Sequence, residues 1–143
     1  MSVFDIAASG LNAAAARLNV SAQNVANSQT DGSLRAAQAV SAATPAADPA
    51  TPKVYAPMQL VQFSTPYGRG AGVRTKTVSG GGYQAAYDPS APYADSDGLV
   101  AEPDVDPVTE ALNQIEAVNQ FKANVKVFQA AADMTKSILS LKV

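Results

Sequence analysis

The sequence predicts a mainly α fold. N- and C-terminal helices pair as an antiparallel coiled-coil-like hairpin around an irregular middle that contains a small β element. Three observations predict this. In the last third, Ala111, Val118, Val125, Ala132 and Leu139 recur seven apart, with Phe121, Phe128 and Thr135 as a second row. In the first 27 residues, Phe4, Leu11, Leu18 and Val25 recur at the same interval. Between them the chain is broken by Pro and Gly. A 3–4 apolar spacing marks an amphipathic helix with a narrow packing stripe. The boundaries are a helix over 1–30, a loop or linker with a short β-hairpin over 31–105, and a long helix over 106–143.

In the first helix, Ala7, Ala8, Ala14, Ala15 and Ala22 fill the positions between the large residues. This large–small alternation suits close helix approach. Ser2 is placed to cap the N-terminus, with Asp5 three residues on favouring the helix dipole. Gly10 inside a helix costs roughly 1 kcal/mol against Ala, which implies a packing reason. Ser28-Gln29-Thr30-Asp31-Gly32 is turn chemistry and ends the helix near Asn27.

The stretch Ser33 to Pro57, with Pro45, Pro49, Pro52 and Pro57, reads as a surface loop. Val54 to Phe63 is a possible strand, and Val73 to Val78 alternates with β-branched residues as the best strand candidate. Gly68, Gly70 and Gly72 lie between them. A phosphate-binding loop needs a strand before and a helix after, so these glycines read as a hairpin turn. Tyr83 to Tyr87 and Leu99-Val100 are short extended pieces separated by turns. Asp106 is a good N-cap and Pro107 a good first-turn residue for the long helix, with Glu110 near its start. A helix of about 35 residues reaches roughly 50 Å at ~1.5 Å per residue, longer than the first one. Its stripe therefore needs partners beyond the first helix.

Composition narrows the function. Net charge is −2 and there is no His and no Cys among 143 residues. Nothing in that balance favours nucleic acid or an anionic membrane. The commonest general base, the commonest metal ligand and thiolate chemistry are all missing. Asp95-Ser96-Asp97-Gly98 imitates part of a calcium loop, but its first ligand position would be Tyr93 and its last an Asp, so an Asx-type turn is expected. Glu102, Asp104 and Asp106 read as solvated capping acids, and the sequon Asn19-Val20-Ser21 sits mid-helix. No catalytic, cofactor-binding or metal-binding residue is assigned, no cofactor is expected, and an enzyme is not. No run of 18 apolar residues occurs, and a cleaved secretory signal is not expected. The residues singled out as an assembly interface are Phe4, Leu11, Leu18 and Val25 on one helix and Val118, Phe121, Val125, Phe128 and Leu139 on the other.

Three stretches carry a resemblance. The first is Ser9-Gly10-Leu11, Ala13, Arg17-Leu18, Val20, Ala22, Asn24, Ala26-Asn27 and Thr30. The second is Asp88-Pro89, Pro92, Ala94-Asp95, Gly98-Leu99-Val100, Pro103-Asp104-Val105-Asp106 and Glu110. The third is Ala123-Asn124-Val125, Val127, Ala131, Met134 and Leu139-Ser140-Leu141. Together they resemble the bacterial flagellar basal-body rod proteins of the FlgC (proximal rod) family. Leu99 stands where that family usually has Tyr, and Asp104 where it usually has Asn. The Ala/Pro-rich stretch from Ala36 to Pro57 does not look like the family.

The resemblance implies a structural subunit that self-assembles through its terminal helices into the axial drive shaft carrying torque from the membrane ring to the hook. It makes Ser9, Gly10, Leu11, Asn24 and Asn27 the rod signature. Implied partners are copies of the chain, other rod proteins, membrane-ring and basal-body junction proteins and the flagellar type III export apparatus, with no nucleic acid and no small-molecule substrate. The implied location is the rod of the basal body in the periplasm, reached from the cytoplasm without a cleaved signal. Another axial subunit of the rod or hook junction is the first alternative, against which the Asp88–Asp106 stretch argues. A generic helical secretion or adaptor subunit is the second, and it would not explain Asn24 and Asn27.

Overall fold

Two helix caps foreseen in the sequence set the ends of the longest elements. In the computed structural model, which describes residues 2–41, 52–64 and 72–141, α1 spans Val3–Ala26 and α3 spans Pro107–Ser140. At the start of α1, the Phe4 amide donates to Ser2 Oγ at 3.2 Å and the Ser2 amide donates to Asp5 Oδ2 at 3.3 Å, a reciprocal cap. At the start of α3, the Val108 and Thr109 amides donate to the Asp106 carboxylate at 3.1 and 3.2 Å. Pro107, which lacks an amide hydrogen, occupies the first helical position.

Between them lie α2 (Leu34–Ser41), β1 (Met58–Ser64), β2 (Val73–Ser79), β3 (Tyr83–Tyr87) and β4 (Leu99–Pro103). Among the described residues, β1 pairs with β2 in one two-stranded sheet and β3 with β4 in another. The β3–β4 pair is antiparallel, with Tyr83 opposite Pro103 and Tyr87 opposite Leu99. Gly68 and Gly70 of the expected hairpin turn, and Pro45 and Pro49 of the expected loop, lie outside the described residues.

The chain divides into two compact units. One comprises Met1–Ser21, Leu60–Thr77 and Ala111–Val143, the other Ala22–Gln59 and Val78–Glu110. In the second unit, β4 supplies the most deeply buried side chains, Val100, Ala101 and Pro103, and α2 adds buried Ala36 and Ala37. α2 packs on β4. Ser33 precedes α2, and its carbonyl accepts the first helical bond, from Ala37, at 3.0 Å. Gly32 and Ala101 exchange both backbone bonds, at 2.9 and 2.8 Å, so the chain before α2 runs beside β4. A Cβ on Gly32 would overlap the backbone at Lys53 and Val54, so only glycine fits this crossing. The loop between β3 and β4 closes on Asp95, whose Oδ1 accepts the amides of Asp97 and Leu99 at 2.9 Å each, and on Gly98 at φ 75°. That is the Asx-type turn expected from Asp95-Ser96-Asp97-Gly98.

The expected fold class is corrected in two respects. In place of one small β element, two separate two-stranded sheets and a third helix occupy the middle among the described residues. The reason is the size of its core residues. Ala36, Ala37 and Ala101 bury fully while contributing little to a count of large apolar side chains, and Ala favours the helix that forms there. The coiled-coil-like hairpin of large apolar residues is likewise replaced. The buried row on α1 is Ala7, Ala14 and Ser21, and on α3 it is Ala117 and Ala131. The large residues expected in the seam are exposed or half-buried.

The crossing at Gly32 yields a test. Gly32→Ala should lower the urea midpoint by the equivalent of about 1–3 kcal/mol, the usual cost of forcing atoms into a filled space. The Gly82→Ala control, where an added Cβ meets nothing within 4 Å, should stay close to wild type.

Candidate assembly surfaces

The first unit brings α1 and α3 together through polar and small residues. A Cβ on Gly10 would lie 2.5 Å from Asn124 Oδ1, so Gly10 leaves the space that the Asn124 side chain fills. Asn124 in turn donates to the Gln120 carbonyl of its own helix at 2.9 Å. Arg17 pairs with Glu116 at 2.8 Å, with the arginine the more buried partner. An exposed pair of this kind contributes about 0–1 kcal/mol, so it orients more than it stabilises. The Phe4 and Phe128 rings meet edge to face, with centroids 5.0 Å apart and planes at 72°. Such a pair adds about 0.5–1.5 kcal/mol beyond its burial. The Ser9 hydroxyl donates to the Ile6 carbonyl at 2.7 Å and accepts the Val73 amide at 3.2 Å, joining α1 to β2.

The second unit is organised at Asn24, which is 3% exposed. Its Nδ2 donates to the Met58 carbonyl and to Glu110 Oε1, both at 2.9 Å. Its Oδ1 accepts the Met58 amide at 2.9 Å and the Tyr55 hydroxyl at 3.1 Å. Two donors and two acceptors are all used, so the amide pairs with Met58 as a neighbouring strand would. Burial, and then the Glu110 carboxylate, push the Tyr55 phenol above its ordinary value and keep its hydroxyl a donor. Asn27 caps locally, donating to the Gln23 carbonyl at 2.9 Å and accepting from the Thr30 hydroxyl.

Each signature residue therefore has a place: Ser9 and Gly10 at contacts of α1, Leu11 half-buried, Asn24 at the buried hub and Asn27 at the helix end. Of the nine expected interface residues, Phe4, Leu11 and Val125 are half-buried. Leu18, Val25, Val118, Phe121, Phe128 and Leu139 are exposed, from 37% at Leu18 and Val118 to 66% at Leu139. Further exposed apolar residues on α3 lie outside the expected interface set: Val108, Leu112, Ile115, Val127, Met134 and Ile138. Tyr55, Met58, Glu110, Arg17 and Glu116 were also missed as contact residues. A signal for the seam did exist, because Gly10, Arg17 and Asn24 are seven apart, as are Glu110, Ala117, Asn124 and Ala131.

Among the described residues no group of three or more His, Cys, Asp or Glu could hold a metal ion, and no helix is long and apolar enough to cross a membrane. A cavity of about 440 Å³ in the second unit is lined by Ala36, Ala37, Val54, Ala56, Tyr55 and Tyr83, with Lys53 at its wall. Asp88 and Asp106 are held below the usual carboxylate range. The Ser90 and Thr109 hydroxyls respectively are the main cause, followed by backbone amides.

The two termini match known families. Residues 4–32 match the flagella basal body rod protein family, and residues 96–141 match the C-terminal family of the flagellar basal body rod FlgEFG proteins. Over 99% of its length the chain is 34% identical to the flagellar basal-body rod protein FlgC of Escherichia coli O157:H7, covering 96% of that protein. It is 32% identical to FlgC of Salmonella typhimurium over 99% of this chain and 96% of the relative. FlgC of Agrobacterium fabrum is 31% identical over 95% of this chain and 90% of the relative. The chain belongs to the FlgC family of flagellar basal-body rod proteins. It is a structural rod subunit and its place is the basal body, where it assembles with other flagellar components. The N-terminal match covers α1 and ends at Gly32, while the C-terminal match begins in the Asp95 turn and takes in β4 and α3. The alignments also run through the Ala/Pro-rich stretch from Ala36 to Pro57.

Two outcomes test this geometry. Asn24→Ala should destabilise by roughly 2–4 kcal/mol in chemical denaturation, at ~1–3 kcal/mol for each buried polar group left without a partner. The pH response of Asp106 has a definite sign. Its folded value lies below its ordinary one, so its capping contribution is present above the ordinary carboxylate range and is lost as pH falls through the depressed value. Amide protection at Val108 and Thr109 should fall on acidification, and Asp106→Asn should flatten that response.

Proposed function

We propose that this chain is an axial subunit of the proximal rod and is not an enzyme. Its α1 and α3 helices bind copies of the chain and other rod proteins to build the shaft that carries torque from the membrane ring to the hook. The observation that carries this reading is the apolar surface that α1 and α3 leave open. Leu18, Val25, Phe121, Phe128, Ile138 and Leu139 are all more than one-third exposed in the single chain. Large apolar residues in rows along a helix mark surfaces for other chains. In this reading the nine residues Phe4, Leu11, Leu18, Val25, Val118, Phe121, Val125, Phe128 and Leu139 are assembly contacts, and Ser9, Gly10, Asn24 and Asn27 hold the helices that present them.

In this reading the chain reaches the periplasmic rod through the flagellar type III export apparatus and meets the junction proteins of the membrane ring there. A core built from small side chains suits passage through a narrow channel, because little packing must be undone.

Leu18→Asp and Leu139→Asp should each remove the chain from isolated basal bodies and abolish swimming, while its cellular level stays near wild type. Phe128→Asp should do the same, with some loss of stability because Phe128 also touches Phe4. Wild-type motility in all three variants would refute the assignment of these surfaces.

A further inference from the structure

The two compact units carry opposite charge. The first, made of Met1–Ser21, Leu60–Thr77 and Ala111–Val143, holds eight of the chain's ten basic residues and three of its twelve acidic ones. The second, made of Ala22–Gln59 and Val78–Glu110, holds two basic residues and nine acidic ones. Gathering like charges in one unit adds self-repulsion, so this segregation costs the single chain stability. Pairing inside each unit offsets little of it. In the first unit Arg17 pairs with Glu116, but Arg74, Lys76, Lys122, Lys126 and Lys136 are exposed and make no ion pair among the described residues. Lys122 and Lys126 stand one turn apart on the same side of α3, next in sequence to Phe121 and Val125 of the expected assembly set. In the second unit Glu102, Asp104 and Asp106 alternate where β4 ends and α3 begins. Asp106 caps α3 and Glu102 accepts the neutral Gln84 amide at 3.4 Å, bonds that leave both negative charges in place. Asp104 is exposed, and its carboxylate has no partner among the described residues.

We infer that the basic unit of one copy, through Lys122 and Lys126, seats on the acidic unit of a second copy of this chain, through Glu102 and Asp104. Each copy carries both halves of the match, so any copy complements any other. Like unit against like unit brings charges of one sign together, which disfavours that pairing. The contact joins two different surfaces of the same chain, so it stays open at both ends and adds copy to copy. That open form rests on the rod reading, because a shaft requires a contact that repeats along an axis.

Full-length chain should be prepared in natural and heavy-isotope forms, mixed at low salt and treated with a carbodiimide, which joins a lysine amine to a carboxylate with loss of water. The expected links run from Lys122 or Lys126 of one isotope to the Glu102–Asp106 segment of the other. Sedimentation at low salt should show species that grow beyond a dimer with concentration. Association should weaken about tenfold at high salt, as screening shortens the reach of exposed charge from about 30 Å to about 3 Å. Lys122→Glu/Lys126→Glu and Glu102→Lys/Asp104→Lys should each weaken it by a similar factor, and all four changes in one chain should restore it. The cross-link map on the unaltered chain keeps the result decidable if a variant fails to fold. Links within one isotope only, a dimer that grows no further, association indifferent to salt, or four changes without rescue would each overturn the contact. Any of these leaves the rod reading standing, which fails instead if the wild-type chain is absent from isolated basal bodies.

Discussion

The side chain of Asn24 is the interaction on which the second unit depends. An amide has two donors and two acceptors, and here the Met58 backbone, Glu110 and Tyr55 use all four. A buried amide with any of these missing costs more than the bond it lost, because the orphaned partner is also away from water. The network therefore fixes where the end of α1 lies against the segment entering β1 and the first turn of α3. Ser, Thr or Asp at this position cannot supply the same pattern.

A second constraint is the scarcity of large core residues. Ala7, Ala13, Ala14, Ala36, Ala37, Ala101, Ala117 and Ala131 make up most of the buried apolar set. Small side chains bring backbones close but stabilise little per residue, since the hydrophobic gain follows buried area. The large residues stay at the surface instead: Leu112, Ile115, Phe121, Phe128, Met134, Ile138 and Leu139. For a monomer this allocation is unfavourable. In the proposed assembly this surface would be covered by other chains, and binding would then contribute to stability.

Several features were legible in the residues themselves. Ser2 with Asp5, and Asp106 with Pro107, marked the two helix starts because capping is local chemistry within four residues. Asp95 to Gly98 marked its own turn for the same reason. The Asn24–Asn27 stretch and the Gly98–Asp106 stretch pointed to the rod family. Less legible were α2 and the pairing of β3 with β4. Their signals are small residues such as Ala36, Ala37 and Ala101, whose burial depends on what crosses them, as Gly32 crosses beside β4.

The sequence by itself determined where the long helices begin and which family the chain joins. Only the tertiary structure decided which row of each helix turns inward. On α1 the row Phe4, Leu11, Leu18, Val25 and the row Ala7, Ala14, Ser21 have the same period, so periodicity cannot choose between them. The choice falls to the close approach at Gly10 and Asn124 and to the polar partners of Arg17 and Asn24, which are contacts between residues about a hundred positions apart. Those contacts bury the small row and leave the large one half-buried at Phe4 and Leu11 and exposed at Leu18 and Val25.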